Sequence, residues 1–432
     1  MSIQRRQFVK SLSAFAGSTF LTPLLNPLIS APIGKELASI THSSPEDAAT
    51  DEDFWYHVRQ AYTSSNNLIN LNSGGVSPHP KMVQEKVELY TRFANEAPGY
   101  YMWRTMGRVR ESTRRRLAKL AGCSPNEIAI MRNATEALET AIMGIDLKKG
   151  DEVLTTDQDY PSMLNTLEMR SRREGIKINK IALPVPSEDP SEIVGLFENA
   201  ITSKTKVILV CHMINLTGQI LPVRQIARIA HKKGIKVIID GAHTFCHLDF
   251  QIPDLEGDYF GTSLHKWMTA PFGTGMFYVK EENIEGLWPL HGYPEGEDDK
   301  ISKFEHLGTR SFPIELAIAD AIDFHNSIGT PRKAARLRYL KEYWTDQVKD
   351  IPGVYFNTSL KKEHSGGIAN FGLEGWEPGE LGNTLTGQYQ LYNTAINHKD
   401  IKGVRISPNV FTSLEELDYL AETIAKLAKE KR

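Results

Sequence analysis

Cysteine is scarce in this chain: three residues in 432, at Cys123, Cys211 and Cys246, with no CxxC pair and no histidine pair beside any of them. That pattern offers no zinc-binding spacing, and Cys211, closing an apolar run, reads as a buried free thiol rather than half of a bridge; no metal site is indicated. A surplus of either charge is also missing. Fifty basic against fifty-three acidic residues leave a net charge of −3, which removes the electrostatic case for a nucleic-acid partner and favours a small molecule. The one basic cluster, Arg108, Arg110, Arg114, Arg115 and Arg116, has helical spacing and reads as a solvated or interface helix face. No internal repeat is present. With 41% hydrophobic and 24% charged residues, the chain has the make-up of a soluble globular protein long enough for two domains.

A long uninterrupted apolar run is absent as well. The nearest approach is Leu12 to Ile29, broken by Pro23 and Pro27 and by several serines and threonines, which argues against a helix of about twenty apolar residues spanning a membrane. What precedes it is Arg5-Arg6, then Phe8 and Lys10. Residues 1–31 therefore resemble a twin-arginine export signal, implying the export machinery as a partner and a periplasmic or exported location. Ile29-Ser30-Ala31 matches a small-x-small cleavage site only in part, leaving an uncleaved anchor as the alternative. Residues 32–53, rich in Ser, Thr, Ala and acidic residues without apolar period, read as a linker.

From Phe54 onward strands and helices alternate. Apolar runs at 128–130, 153–154, 178–183, 207–210, 237–239, 259–260 and 276–279 are strand candidates, with helical patterns at 134–145, 162–174, 191–201 and 223–233 between them. Alternation of this kind predicts an α/β fold: a mostly parallel seven-stranded sheet covered on both faces, over 54–312, with ligands at the carboxyl ends of its strands. Residues 313–432 predict a smaller α+β domain closed by a helix from Leu414, with Ser413 as its N-cap.

Chemistry gathers just after those strands. Asp240 ends the run Val237-Ile238-Ile239, and 26 residues later Ser263-Leu264-His265 leads into Lys266. A carboxylate and a lysine so placed suit pyridoxal 5'-phosphate, whose ring nitrogen needs an anion and whose aldehyde needs an amine. Further parts follow the other strands. Asn133-Ala134-Thr135 opens a helix, where orphan N–H groups and a hydroxyl suit a phosphate, although a plain N-cap uses the same residues. Tyr160 offers a flat ring after the second strand. Asn215 is a turn residue or a donor to the cofactor's phenolate oxygen. His243 serves either that oxygen or proton transfer; Ser263 and His265 suit phosphate; Thr274 sits in the turn Gly273-Thr274-Gly275; and Arg405 is a carboxylate binder or a surface ion pair.

Taken together, RNATEAL, DQDYPSM, the Asn215 segment, IIDGAH, SLHKW, FGTG and VRIS resemble, in this order, the class V aminotransferase family of fold type I pyridoxal phosphate enzymes. NSGGVSP and Met102-Trp103-Arg104 are similar to its isopenicillin N epimerase-like subgroup. The resemblance implies a Schiff base at Lys266, a pyridine-nitrogen partner in Asp240 and a stacked ring from Tyr160. It also implies phosphate contacts from Thr135, Ser263 and His265, phenolate contacts from His243 and Asn215, and substrate carboxylate at Arg405. Thr274 would reach the phosphate of a neighbouring subunit, implying a homodimer with shared sites. Many relatives have Gln at the position of His243 and His or another aromatic at that of Tyr160, so reaction type stays open. A catalytic cysteine on the loop before the last strand, as in cysteine desulfurases, is missing from 384–403. The expected activity is Cα proton abstraction by Lys266 from an amino acid or amino-acid-bearing metabolite, epimerase- or aminotransferase-like, with Tyr100, Tyr101, Tyr160 and His243 as candidate second bases. The alternatives are a C–S or other β-elimination lyase and, from another class, an exported binding protein without turnover.

Overall fold

The computed structural model describes residues 44–65 and 67–431. The twin-arginine-like segment 1–31 and residues 32–43 of the expected linker lie outside them.

Seven strands form one sheet: β1 (Ile128–Met131), β2 (Glu152–Thr156), β3 (Lys177–Ile181), β4 (Thr205–Cys211), β5 (Lys236–Asp240), β6 (Tyr259–Ser263) and β7 (Gly275–Val279). They lie side by side in the order β3-β2-β4-β5-β6-β7-β1, and only β7 runs antiparallel to its neighbours. Alternate residues serve opposite faces, as a pleated strand requires. Ile128, Ile130, Ile208, Val210, Val237 and Ile239 belong to one hydrophobic core. Ala129, Met131, Val207, Leu209 and Ile238 belong to another. Helices Pro190–Ala200 and Val223–His231 pack into the first core and Ala134–Gly144 and Pro161–Glu174 into the second, so near-continuous apolar strands are buried on both sides.

The parallel arrangement brings the strand ends to one edge. Cys211 pairs in register with Asp240, Asp240 with Gly261, and Ser263 with Gly275, which itself pairs with Met131. The backbone of Asn133 passes so close to Gly275 that an added Cβ would lie 2.6 Å from it. Glycine at this position lets the Ala134–Gly144 helix start against β6 and β7.

A second sheet follows, with β8 (Val354–Phe356), β9 (Ala369–Leu373), β10 (Thr394–His398) and β11 (Ile401–Ile406) in the antiparallel order β10-β11-β9-β8. Trp344 and Val348 of helix Thr330–Val348 and Leu417, Leu420 and Ile424 of helix Leu414–Glu430 pack on Phe371, Val404 and Ile406. Ser413 caps the last helix in a reciprocal capping box with Glu416. Among the described residues no helix is long and apolar enough to cross a membrane.

Two local readings differ from the structure. The described part of the expected linker is helical: Pro45–Ala49 and Glu52–Gln60 form helices, and Ala48, Ala49, Phe54 and Trp55 are buried. Trp55 Nε1 donates to the Ala48 carbonyl at 2.7 Å and Arg336 Nη1 to that of Ala49 at 2.9 Å. A five-residue helix is too short to show a period. The arginine cluster is likewise not wholly a solvated face. Arg110 and Arg114 point inward from helix Gly107–Ala121 and are buried, with Glu305 taking Arg110 Nη1 at 2.5 Å and Arg114 Nη1 and Nη2 at 2.7 Å.

Glu305 also accepts the Ile130 N–H at 2.5 Å, so this ion cluster clamps β1. Burial acts to raise the Glu305 pKa, but Arg110 and Arg114 hold it below the ordinary carboxylate value. Its stabilising contribution is therefore present above the unfolded glutamate pKa and is lost as pH falls through the folded one. Glu305→Gln, which leaves two buried guanidiniums short of an anion, is expected to cost about 3–5 kcal/mol at neutral pH. Urea denaturation measures this, and an unchanged midpoint would remove the clamp from the account.

Candidate active site

Asp240 ends β5 and is buried beside Cys211. Its Oδ1 accepts the Ala242 N–H at 2.9 Å, and the Cys211 thiol lies 3.9 Å from Oδ2. Burial raises its pKa to about 6, against the pull of that N–H and of the Lys266 charge, so the group remains a carboxylate at neutral pH. Lys266, in the turn after β6, is the cation in question. Burial pushes its pKa down to about 8, Asp240 opposes that, and Arg405 adds to it. The amine is thereby brought close to its reactive neutral form near physiological pH.

His243 lies between Lys266 and Trp267, with Nε2 3.4 Å from Lys266 Nζ and Nδ1 3.4 Å from the indole nitrogen of Trp267. Burial, reinforced by Lys266, Arg405 and His247, holds its pKa well below the ordinary value, so it is neutral. The turn Asn72-Ser73-Gly74-Gly75 closes over it: a Cβ on Gly74 would sit 3.3 Å from His243 Cε1 and 3.2 Å from Ser407 Oγ.

At the start of helix Ala134–Gly144, Ala134 N–H donates to Ser263 Oγ at 2.9 Å, Asn133 Oδ1 caps Glu136 N–H at 2.9 Å, and Ala137 N–H reaches the Asn133 carbonyl at 3.3 Å. Among the described residues no group accepts from the Thr135 N–H or hydroxyl. One amide and one hydroxyl at a helix N-terminus thus remain open to an anion. Asn133 is the cap the sequence allows, and Ser263 braces the turn.

Arg405 on β11 is 6% exposed and has no carboxylate within ion-pair distance among the described residues. Nη1 donates to the Asn215 carbonyl at 2.9 Å and Nη2 to Asn72 Oδ1 at 2.8 Å, while Nε is buried without a partner. Burial lowers its pKa to about 10, opposed by the Tyr160 and Tyr392 hydroxyls. Asn215 Oδ1 is also buried without a partner. The orphaned Arg405 Nε is a donor that fits an anionic ligand, whereas the Asn215 amide oxygen calls for a donor.

Tyr160, 41% exposed, is the N-cap residue of helix Pro161–Glu174. The turn before it is held by Asp159, which accepts from Thr155 Oγ1 at 2.8 Å, Thr156 N at 2.8 Å, Thr156 Oγ1 at 2.7 Å and Cys211 N at 2.9 Å. His265 Nδ1 lies 3.1 Å from the Thr274 carbonyl. Thr274 itself is buried and donates its hydroxyl to Pro271 O at 2.6 Å, inside its own loop. Sequence reasoning assigned no role to Asn72, Asp159, Trp267 or His247. Asn72 lay within the NSGGVSP match and Trp267 directly after Lys266.

The family model for aminotransferase class-V matches residues 69–419. The chain belongs to the class V aminotransferase family. Like other members of this pyridoxal phosphate family, the chain is a pyridoxal phosphate-dependent enzyme. Isopenicillin N epimerase of Streptomyces clavuligerus is 28% identical over 393 residues, 87% of this chain and 99% of that protein. A probable cysteine desulfurase of Synechocystis sp. is 31% identical, over 61% of this chain and 66% of that protein. A C-DES mutant with glycine covalently linked to its PLP cofactor superposes with TM-score 0.76 at 21% identity, covering 85% of this chain and 98% of that one. The apo cysteine desulfurase of Thermococcus onnurineus NA1 does so at 0.75 and 22%, covering 87% and 98%. Those structures establish fold type I for this class V chain: a large, mostly parallel sheet with a smaller antiparallel one.

Reactivity of Lys266 toward pyridoxal phosphate should carry the mark of its burial. Borohydride-trappable attachment is expected to rise with pH around a midpoint near 8, against 10.5 for an ordinary lysine. Asp240→Asn removes the charge that raises this value, so the midpoint moves lower still. A wild-type midpoint at the ordinary lysine value contradicts the site electrostatics.

Proposed function

We propose that this class V enzyme labilises the Cα proton of an amino acid or amino-acid-bearing metabolite, with epimerase- or aminotransferase-like outcome. One observation carries the reading: a desolvated Lys266 amine lies 3.4 Å from a neutral His243, and both feel the charge of Arg405, whose guanidinium has no carboxylate among the described residues. Arg405 is suited to the substrate carboxylate by its planar donor fork. Pyridoxal phosphate, when bound, supplies an aldehyde for the amine and a ring that draws electrons from Cα. Asp240 would pair with the ring nitrogen, Thr135 with the phosphate, Asn215 with the phenolate oxygen, and Tyr160 would cover the ring.

Lys266 takes and returns the proton. Return to the opposite face of the same carbon would need a second group besides Lys266 and would give epimerisation; with pyridoxal phosphate bound, return of the proton elsewhere than Cα would give transamination. The 28% identity to an isopenicillin N epimerase over 87% of the chain supports the first. A C–S lyase is the second reading, supported by the hercynylcysteine sulfoxide lyase of Schizosaccharomyces pombe, 21% identical over 87% of this chain. Residues 384–403 contain no cysteine to carry a persulfide, so a desulfurase route is not favoured.

Incubation of the holoenzyme with a panel of amino acids in D₂O separates these outcomes. Deuterated, racemised Cα supports epimerisation, keto acid with pyridoxamine phosphate supports transamination, and pyruvate with ammonia or sulfide supports elimination. Lys266→Ala is expected to abolish all three and the borohydride-sensitive absorbance. No turnover on any substrate in a broad panel would refute the proposed Cα-proton chemistry.

Export and pairing belong to the same proposal. Arg5-Arg6-x-Phe8-x-Lys10 supports a twin-arginine route to the periplasm, and the place of Thr274 in the family motif supports a homodimer. A double Arg5→Lys, Arg6→Lys variant is expected to accumulate in the cytoplasm, and the exported wild type to sediment at twice the mass of its own chain as determined by mass spectrometry. Unchanged partitioning or a monomeric mass refutes the respective half.

A further inference from the structure

Trp267 is fully buried directly after the reactive lysine, and two imidazoles flank its indole. On one side the His247 ring lies against it at 3.9 Å between centroids. His247 is itself locked: Nε2 accepts the Gly367 N–H at 2.7 Å, so its proton is on Nδ1, which donates to the His243 carbonyl at 2.8 Å. The Lys333 amine donates to the Trp267 carbonyl from behind. The indole therefore has little freedom.

On the other side the indole nitrogen lies 3.4 Å from His243 Nδ1. An indole nitrogen is donor only. Were Nδ1 to carry the proton, two N–H groups would face each other in a site closed to water, leaving both unsatisfied. Nδ1 must therefore be the acceptor, and a neutral imidazole then has its hydrogen on Nε2, the atom 3.4 Å from Lys266 Nζ. We propose that Trp267 is a positioning residue that sets the tautomer of His243, so that Nε2–H always points at the Lys266 amine.

This deepens the function proposed above and rests on Lys266 as the reactive amine. An Nε2–H opposite Nζ can be accepted by a neutral amine and repels an ammonium. Trp267 thus acts, through His243, on which form of Lys266 is present. The same proton is presented to whatever acceptor replaces the amine when substrate displaces it. The charged and titratable groups acting on His243 are Lys266, Arg405 and His247; those acting on Lys266 are Asp240, Arg405 and Cys211. None of them bonds His243 Nδ1, which leaves the indole as its partner. Because Gly367 precedes β9, the chain Gly367–His247–Trp267–His243 also ties the second sheet to the reacting atoms.

Two measurements test this. In the apo protein labelled with ¹⁵N-histidine, the His243 resonances, identified by their loss in His243→Gln, are expected to show a bare Nδ1 and a protonated Nε2. A protonated Nδ1 overturns the proposal, with no cofactor or turnover involved, so this failure is distinct from failure of the proposed function. Trp267→Phe keeps a ring against His247 and removes the donor. Its midpoint for borohydride-trappable attachment of pyridoxal phosphate is expected to move up by about one pH unit, equivalent to one net hydrogen bond. In His243→Gln the same replacement should move it little. A folded Trp267→Phe with the wild-type midpoint and an unchanged ¹⁵N pattern overturns the proposal; where that variant does not fold, the wild-type spectrum decides.

Discussion

A lysine amine and a carboxylate share one desolvated pocket, and most of the surrounding structure serves to hold them there. Desolvation disfavours the charge on each: it takes Lys266 down to about 8 and Asp240 up to about 6. Their mutual attraction limits both shifts, leaving an anion and a readily deprotonated amine at neutral pH. Such a pair cannot sit in the body of a sheet. It sits where strands end, because there the backbone supplies N–H groups, as Ala242 does for Asp240, without breaking a ladder. The seven-stranded sheet is in this sense a device for bringing Asp240, Ser263 and the Asn133 turn to one edge.

The second sheet completes the site. Arg405 reaches from β11 to the Asn215 carbonyl of the large domain, Asn370 donates to the Leu216 carbonyl at 3.0 Å, and Thr358 donates to that of Thr217. One loop, 215–217, is therefore gripped by three side chains of the smaller domain. Motion of that domain would displace the carboxylate-binding candidate and Asn215 together, so substrate capture and cofactor contact are mechanically linked in this fold.

Much of this was legible in the sequence. Most of the large-domain strands are short apolar runs bounded by turns and alternating with helical patterns, whereas edge strand β3, Lys177–Ile181, has no buried residue. Asp240 and Lys266 were legible because each follows a strand, and fold logic places strand ends together. Strand Thr394–His398 was missed because it lies at an edge and contributes a single buried residue, Ile396. Helix Pro378–Tyr389 has three glycines, so propensity argues against it and tertiary packing through Leu381 and Leu385 decides. Glu305 and Glu315, the carboxylates that meet Arg110 and Arg114 from across the fold, lie 191 to 205 residues away, and Gly367 lies 120 residues from His247. Nothing local announces such pairings.

The buried arginines show how stability and function divide the same chemistry. Arg110 and Arg114 are each met by carboxylates at 2.5 to 3.0 Å, so their desolvation is offset inside the chain, and removing an anion would expose the cost. Arg405 is equally buried, yet it is met only by a carbonyl, an amide oxygen and a distant hydroxyl, with Nε unsatisfied. A fold selected for stability alone would place a carboxylate there or remove the charge. Leaving a guanidinium desolvated and unpaired makes sense where a ligand supplies the anion, and the depressed pKa of Lys266 follows in part from that same unneutralised charge. A substrate carboxylate on Arg405 would cancel that repulsion and raise the lysine's affinity for a proton as it binds. The base strength of Lys266 is then coupled to occupancy of the carboxylate site, rising only once there is a Cα proton to take.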